Sequence, residues 1–265
     1  MDIDTLREKV YSPEQLPNGM IGLETDMGRS LLEKSTIKDM KIVGNGVKQI
    51  SMTACGPISS MVLINATGAA ERVRELSSKE NVNIGLDSLS LKEEEFMKLP
   101  CLLEYFKSVD IDKNGLTLSQ LHQVCTLLGF NASAIHALKG PNTDLDTSPI
   151  KLPGQNYGDD DQDIVINEFI NVNEFRKFIM TQINKPSTGL IANYNMSILG
   201  YGGLRGHFSP IAAYDQERDM CLIMDTWPNT PSAWVKISNL YEAMCDEDSQ
   251  SELPRGLLCV RSGTF

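Results

Sequence analysis

The stretch from Gln49 to Asn65 constrains the fold of this chain more than any other, because it joins a polar lead-in to a long apolar run through Cys55-Gly56-Pro57. Proline is well tolerated in the first turn of an α-helix, where its missing N–H has no intrahelical partner in any case. The apolar residues that follow recur at helical spacing and cover most of the helix circumference. The stretch therefore predicts a helix that is buried on most sides and begins at the cysteine.

The position of Cys55 gives its thiol a chemical use. The N-terminus of a helix carries a partial positive charge, which stabilises a thiolate, the nucleophilic form of cysteine. Gln49 lies six residues earlier and can direct a side-chain amide at the same point, as an oxyanion donor would. The alternative is a small hydrophobic cysteine that caps a core helix, since free cysteine is among the most buried residue types.

Composition and charge exclude some classes of function. The chain has 265 residues, of which 41% are hydrophobic, and this is enough for one large domain or two lobes around one core. Its net charge of −11 argues against binding to nucleic acid or to an anionic membrane, because both call for a basic surface. No apolar run in the sequence reaches the length of a membrane span, so we expect no membrane partner.

The cysteines indicate a reducing compartment. All six are scattered along the chain with no C-x-x-C pair, so neither a zinc knuckle nor a dense disulfide framework is expected. The first residues lack a basic segment followed by an apolar one, which is the pattern of a secretory signal. We therefore expect reduced thiols and a cytoplasmic location, and an export signal that is not visible here stays open.

The chain changes character along its length, which predicts its fold class. Residues 1–138 are mainly helical in pattern, residues 139–168 are an acidic insertion rich in proline and glycine, and residues 169–265 hold short strand-like runs split by turns. We predict a single α+β domain over 1–265, with a helical lobe packed on an antiparallel sheet lobe. The helix-start patterns are Thr25-Asp26, Ser90 with Glu93, and Thr117 with Gln120.

Three histidines are present, and His207 is the one whose surroundings suggest chemistry. It begins a strand-like run after Gly206, and one hairpin later an apolar strand ends in Asp225. Adjacent antiparallel strands bring such residues side by side, and a carboxylate on one imidazole nitrogen orients the other toward a nucleophile. His122 is expected on a helix surface, and His136 is expected to be structural.

Several segments match one known family of thiol enzymes. They are Gln49…Cys55-Gly56 followed by Val62 to Asn65; Gly206 to Tyr214; Leu222 to Asp225; and Trp234 to Lys236 with Leu240 to Met244. On these segments the chain resembles the phytochelatin synthase family, that is, glutathione γ-glutamylcysteinyltransferases. The resemblance covers about residues 18–138 and about residues 172–262.

The resemblance implies a papain-like fold and a reaction. Members of this family cleave the Cys–Gly bond of glutathione, release glycine and hold γ-Glu-Cys as a thioester. The resemblance makes Cys55 the nucleophile, His207 the general base and acid, Asp225 its orienting acid and Gln49 the oxyanion donor.

The resemblance also implies substrate-binding residues. Asp248 and Arg255 match the pair that holds the α-amino and α-carboxylate groups of the γ-glutamyl head, and a charged amino-acid head does call for one acid and one guanidinium. The matching segments make Gly206, Ser209 and Asn193 further substrate-binding residues. The expected partner is thus glutathione or a related thiol peptide, and a homodimer is left open.

The chain departs from the family where a second glutathione would bind. The family usually carries an Arg and a Tyr after the catalytic acid, and the segment Thr226 to Ala233 has neither. Met196 stands where an Arg often does, and Arg205 is the one nearby cation that can compensate. We therefore predict that water takes the acyl group more than a second glutathione does. The alternatives are full transfer to a second glutathione, and a non-catalytic protein that binds γ-glutamyl thiols.

No residue is assigned to a metal, and no cofactor is expected to be required. Asp110 to Gly115 reads like the front half of a calcium-binding EF-hand loop, but Leu121 replaces the bidentate acid at position twelve. The acidic run Asp159 to Asp163 is interpreted as a solvated loop. The resemblance leaves room for activation by heavy-metal ions through metal–glutathione complexes.

Overall fold

A computed structural model describes residues 11–78, 90–140, 168–202 and 206–262. The acidic insertion predicted for residues 139–168 lies almost wholly outside these segments, and so does Arg205. The expectations attached to them stay predictions.

The described segments contain a run of helices between β2 and β3, and mainly strands after residue 188. The helices are α1 (Asp26–Lys34), α2 (Met40–Gly44), α3 (Cys55–Thr67), α4 (Ala70–Ser78), α5 (Glu93–Phe96), α6 (Pro100–Ser108), α7 (Ile111–Asn114), α8 (Leu118–Leu127), α9 (Val172–Gln182) and α10 (Ile237–Met244). The strands are β1 (Ile21–Gly22), β2 (Ile37–Lys38), β3 (Asn131–Ala137), β4 (Glu168–Phe169), β5 (Thr188–Asn195), β6 (Gly206–Asp215), β7 (Met220–Ile223), β8 (Ala233–Lys236), β9 (Glu247–Asp248), β10 (Leu253–Pro254) and β11 (Gly256–Arg261). Within these segments, no helix is long and apolar enough to cross a lipid bilayer.

Local capping explains where two of the helices begin. The Thr25 hydroxyl accepts a hydrogen bond from Gly28 N at the start of α1, as its sequence predicts. Thr117 and Gln120 form the predicted capping box at the start of α8. The box predicted from Ser90 and Glu93 is wrong: α5 begins at Glu93, whose carboxylate instead accepts from two backbone N–H groups of the loop before α3.

One large sheet organises the molecule. Its strands follow the order β1-β8-β7-β6-β5-β11-β3-β4, and β2 also pairs with β6. The α+β class is confirmed, but the division into a helical half and a sheet half is too simple, because β1, β2 and β3 come from the first 138 residues. The sheet is also not purely antiparallel, since β3 pairs with β4 in parallel.

Helices cover both faces of the sheet, and this fixes where the cysteine lies. Helix α3 packs on β5 and β6 from one face, whereas α9 and α10 pack with the other face. Ten of the 13 residues of α3 are buried, as its continuous apolar pattern predicts. The start of this helix approaches β6 closely: a Cβ built on Gly56 would lie 3.4 Å from the Phe208 ring, next to His207. The cysteine end of α3 and the histidine end of β6 therefore meet.

Candidate active site

Cys55 is the first residue of α3, as predicted, and its thiol is free and half-buried. The N–H groups of the first helical turn have no partners within the helix and form its positive end. The other cysteines differ in environment, since burial raises the pKa of Cys125 and Cys245 to about 11 and that of Cys221 to about 12. A thiol-directed reagent should therefore react at Cys55 in preference to these three residues.

His207 and Asp225 form a buried pair beside the cysteine. The distance between His207 Nε2 and Asp225 Oδ1 is 3.0 Å, and both side chains are 1% exposed or less. Trp227 N donates to the same carboxylate oxygen at 2.8 Å, which fixes the carboxylate orientation. Because Nε2 is occupied by the acid, the other ring nitrogen, Nδ1, is the one left for a nucleophile.

The neighbours of His207 hold its imidazole in the protonated form. Burial by itself lowers the pKa of His207, but the charge of Asp225 and its hydrogen bond outweigh burial, and a hydrogen bond with the side chain of Cys55 adds to them. The net result is a pKa raised to about 9. Near neutral pH the site therefore holds an imidazolium beside Cys55.

Two aromatic rings hold the plane of the imidazole. Tyr194 and Trp227 meet the His207 ring edge-on, with centroid distances of 5.7 and 6.0 Å. The Tyr194 hydroxyl shares a hydrogen bond of 3.0 Å with the hydroxyl of Ser209, which is fully buried. Ser209 thus contacts a residue that supports the histidine, and its predicted contact with substrate stays a prediction.

The carboxamide of Gln49 is buried and held at both ends. Its Nε2 donates to Ser51 O at 2.8 Å, and its Oε1 accepts from the Thr226 hydroxyl at 3.0 Å. Its backbone N–H also donates to Thr226 O at 2.7 Å. The residue directly after Asp225 therefore fixes the amide for which the sequence predicts an oxyanion role.

Arg255 is buried and its carboxylate partner is Asp246, while the predicted roles of Arg255 and Asp248 toward the substrate stay predictions. The Nη1 atom of Arg255 donates to Asp246 Oδ2 at 2.6 Å and to Glu247 O at 2.7 Å. Asp248 lies in β9 and accepts from Gln250 N in a turn. Asp246 was not predicted from the sequence, although it stands two residues before Asp248.

One edge of the Arg255 guanidinium faces the backbone of Gly206. Its Nε atom is buried and has no hydrogen-bond partner among the described residues. A Cβ built on Gly206 would lie 3.5 Å from Nη2 and 3.6 Å from Nε, so this edge looks toward the residue that precedes His207. The side-chain nitrogen of Asn193, on the strand beside β11, is likewise buried and without a partner in the described segments. These donors can receive a carboxylate.

Lys48 supports the acid of the pair and was also missed. Much of the residue is exposed, but its ammonium donates to the carbonyl oxygens of Asp225 and Thr230. Burial of the ammonium against these carbonyls lowers its pKa, although the charge of Asp225 acts in the opposite direction. The position of Lys48, next to Gln49 in the sequence, was the signal that could have identified it.

The other two histidines each form a hydrogen bond with a backbone carbonyl oxygen. His122 is only partly exposed, and its Nε2 contacts Ala132 O at 3.0 Å. His136 contacts Pro254 O through Nδ1 at 2.6 Å, which agrees with a structural role. Among the residues that the structure describes, no group of three or more His, Cys, Asp or Glu side chains is arranged to hold a metal ion.

Comparison with known proteins gives one consistent family. The model of the family described as phytochelatin synthase matches residues 11–257. Over 90 residues the chain is 34% identical to glutathione gamma-glutamylcysteinyltransferase 1 of Arabidopsis thaliana and 38% identical to glutathione gamma-glutamylcysteinyltransferase 3 of Lotus japonicus. It is 30% identical over 92 residues to glutathione gamma-glutamylcysteinyltransferase of Schizosaccharomyces pombe.

These alignments with the curated relatives are short. Each spans 34% of this chain and between 18% and 22% of the relative. The chain thus matches about a fifth of the length of each of these relatives.

Proposed function

Because the chain belongs to the phytochelatin synthase family, we propose that it cleaves the Cys–Gly bond of glutathione, or of a related γ-glutamyl thiol, through a thioester on Cys55. One observation carries the proposal: Cys55 stands at the N-terminus of a buried helix beside His207, whose Nε2 is hydrogen-bonded to the buried Asp225. This is the order of contacts that an activated thiol nucleophile needs. The choice of substrate is supported by the names of the relatives, which mention glutathione and the γ-glutamylcysteinyl group.

In the proposed reaction, the sulfur of Cys55 attacks the carbonyl carbon of the Cys–Gly bond, and an electron pair moves onto the carbonyl oxygen. The C–N bond then breaks, and His207 gives its proton to the nitrogen of the leaving glycine. Water next gives a proton to His207 and attacks the thioester carbon. The C–S bond breaks, so that γ-Glu-Cys leaves and the thiolate returns.

Arg255 and its surroundings supply a place for the γ-glutamyl head. The buried Nε of Arg255, which has no partner among the described residues, and the neighbouring Nη2 present a fork that matches a carboxylate, and Gly206 has no side chain to block it. The amide of Asn193 is a further donor nearby in the sheet. A role for Asp248 in holding the α-amino group is part of the proposal.

We further propose water as the main acceptor of the acyl group. A thioester is partitioned between hydrolysis and transfer according to how firmly an acceptor amine is held beside it. The segment Thr226 to Ala233 has no cation, and Met196 is buried in the core at 1% exposure, so neither offers a charge to a second glutathione. The alternative is transfer to a second glutathione; the relatives are named as transferases.

Replacement of the nucleophile tests the proposal. Cys55→Ala should abolish glycine release and the γ-Glu-Cys adduct seen by intact mass, because loss of a nucleophile typically costs several orders of magnitude in rate. Cys245→Ser, at a half-buried thiol whose pKa is raised to about 11, is the matched control and should keep both. A protein that only binds γ-glutamyl thiols would gain thermal stability with glutathione and form no thioester. Unchanged glycine release in Cys55→Ala would refute the assignment.

A product time course distinguishes the two acceptors. At millimolar glutathione, with and without cadmium or zinc, we expect γ-Glu-Cys and glycine as the main products. The same course shows whether metal–glutathione complexes activate the reaction. Phytochelatin as the dominant product would overturn the preference for water and leave the roles of Cys55, His207 and Asp225 untouched.

A further inference from the structure

The hydroxyl of Thr226 donates a hydrogen bond that fixes the orientation of the Gln49 carboxamide. Thr226 is fully buried, and its hydroxyl lies 3.0 Å from Gln49 Oε1 and 3.3 Å from Phe208 O. Phe208 O already accepts from the Ser59 hydroxyl at 3.1 Å. The shorter contact makes Gln49 Oε1 the main acceptor of the single hydroxyl proton of Thr226.

The two ends of the carboxamide cannot be exchanged without cost. Ser51 O accepts only, so it requires the nitrogen of Gln49 at 2.8 Å, and the Thr226 hydroxyl donates to the oxygen at the other end. In the flipped orientation two carbonyl oxygens would face each other. The nitrogen has a second hydrogen, for which no described residue is the acceptor. That hydrogen is free for a developing oxyanion.

We propose that Thr226 is a positioning residue that holds the Gln49 amide as an oxyanion donor toward the acyl group on Cys55. The inference rests on the proposed function for the identity of the substrate, but not for the chemistry, since every acyl transfer to a thiol passes through an oxyanion. Thr226 follows Asp225 directly. Two successive residues therefore position the imidazole of His207 and the amide of Gln49.

Two reagents separate this role from a structural one. p-Nitrophenyl acetate acylates a thiolate through a tetrahedral oxyanion, whereas iodoacetamide alkylates it at a saturated carbon and forms none. Thr226→Val keeps the shape of the side chain and removes the hydroxyl, and Thr226→Ser keeps the hydroxyl. If Thr226 positions the amide, the valine variant should lose acylation rate and keep alkylation rate.

The expected result is a split between the two reagents. Thr226→Val should acylate about tenfold or more slowly, which is a part of the loss expected when an oxyanion donor is removed, with iodoacetamide alkylation of Cys55 unchanged. Thr226→Ser should stay within about threefold of the wild type in both reactions. In a Gln49→Ala background the valine substitution should add almost nothing, because both changes then act on the same amide.

The outcomes distinguish this inference from the proposed function. Equal loss of acylation and alkylation in Thr226→Val, or additive losses with Gln49→Ala, would overturn the positioning role. An unchanged acylation rate in Thr226→Val would overturn it as well. A wild-type protein that reacts with p-nitrophenyl acetate but forms no adduct with glutathione would instead contradict the proposed substrate and leave the Thr226 comparison fully readable.

Discussion

Replacement of Asp225 by asparagine should shift the protonation of His207 strongly. Asparagine keeps an oxygen that can accept from Nε2, so the variant removes the charge and preserves much of the shape. In the wild type, burial lowers the pKa of His207 and the carboxylate overrides it, for a net pKa of about 9 against a usual 6.5. Without the charge, only the interaction with Cys55 still opposes burial, and the pKa of His207 should fall well below 9.

The magnitude follows from the same contact. A rise from 6.5 to about 9 corresponds to roughly 3 kcal/mol of preference for the imidazolium. Asp225 supplies the larger part of this preference and Cys55 the smaller part, so Asp225→Asn should remove most of it. At neutral pH the variant should hold a neutral imidazole, which cannot pair with a thiolate or protonate a leaving amine.

An NMR titration measures the effect directly. The chain has three histidines, so His122→Gln and His136→Gln suffice to assign the imidazole signals. Asp215→Asn is the matched control, because Asp215 is also buried but its carboxylate accepts from a backbone N–H in a hairpin away from the site. If the pKa of His207 stays near 9 in Asp225→Asn, the electrostatic argument is wrong.

The same pair predicts how stability changes with pH. The folded-state pKa of His207 is raised above its unfolded value, so its contribution is fully present below about pH 6.5 and is lost as the pH rises through about 9. The free energy of unfolding should fall by up to roughly 3 kcal/mol across this window from this group. Urea unfolding at several pH values should show the fall in the wild type and not in Asp225→Asn. A wild-type profile as flat as that of the variant would contradict the assignment.

Two further substitutions test the supports of the site. Glu93→Gln replaces one of the two carboxylate oxygens that accept from Ile50 N and Ser51 N at 2.6 and 2.8 Å, in the loop that carries Gln49. It should cost about 1–3 kcal/mol in unfolding free energy and slow acylation, whereas Glu94→Gln, at an exposed neighbour, should change neither. Gly206→Ala places a methyl group against Nη2 and Nε of Arg255 and should raise KM for glutathione about tenfold. Gly202→Ala, with nothing within 4 Å of the added carbon, is the control and should leave KM unchanged. Equal KM values in these two variants would exclude a substrate carboxylate beside Nη2 and Nε.

Local sequence patterns predicted the elements that bear the reactive groups. The Gly-Pro step and the apolar run after Cys55 placed the cysteine at a helix start, and α3 begins there. Short strand-like runs were predicted within residues 169–265, and β5, β6 and β11 lie there. These features depend on short-range spacing, which a single sequence displays in full.

Contacts between distant segments were not predictable in the same way. Glu93 had the spacing for a capping box, but its carboxylate reaches 43 and 42 residues back to the loop before Cys55. Arg255 had an acid seven residues before it in Asp248, yet it pairs with Asp246 nine residues before it. Charge and spacing permit each pairing, and only the packing of β9 and the turn after it decides between them.

The geometry of the reactive pair is set by packing of a helix on a strand. Cys55 and His207 belong to α3 and β6, and no local pattern relates the two elements. Their separation is fixed by Gly56, which lets the helix approach the Phe208 ring, and by the Ser59 hydroxyl, which donates to Phe208 O. Because Gly56 and Phe208 each lie one residue from Cys55 and His207, and Ser59 one helical turn from Cys55, a change in the core should alter the thiol–imidazole distance directly. The hydrophobic face of the helix therefore specifies the chemistry as well as the fold.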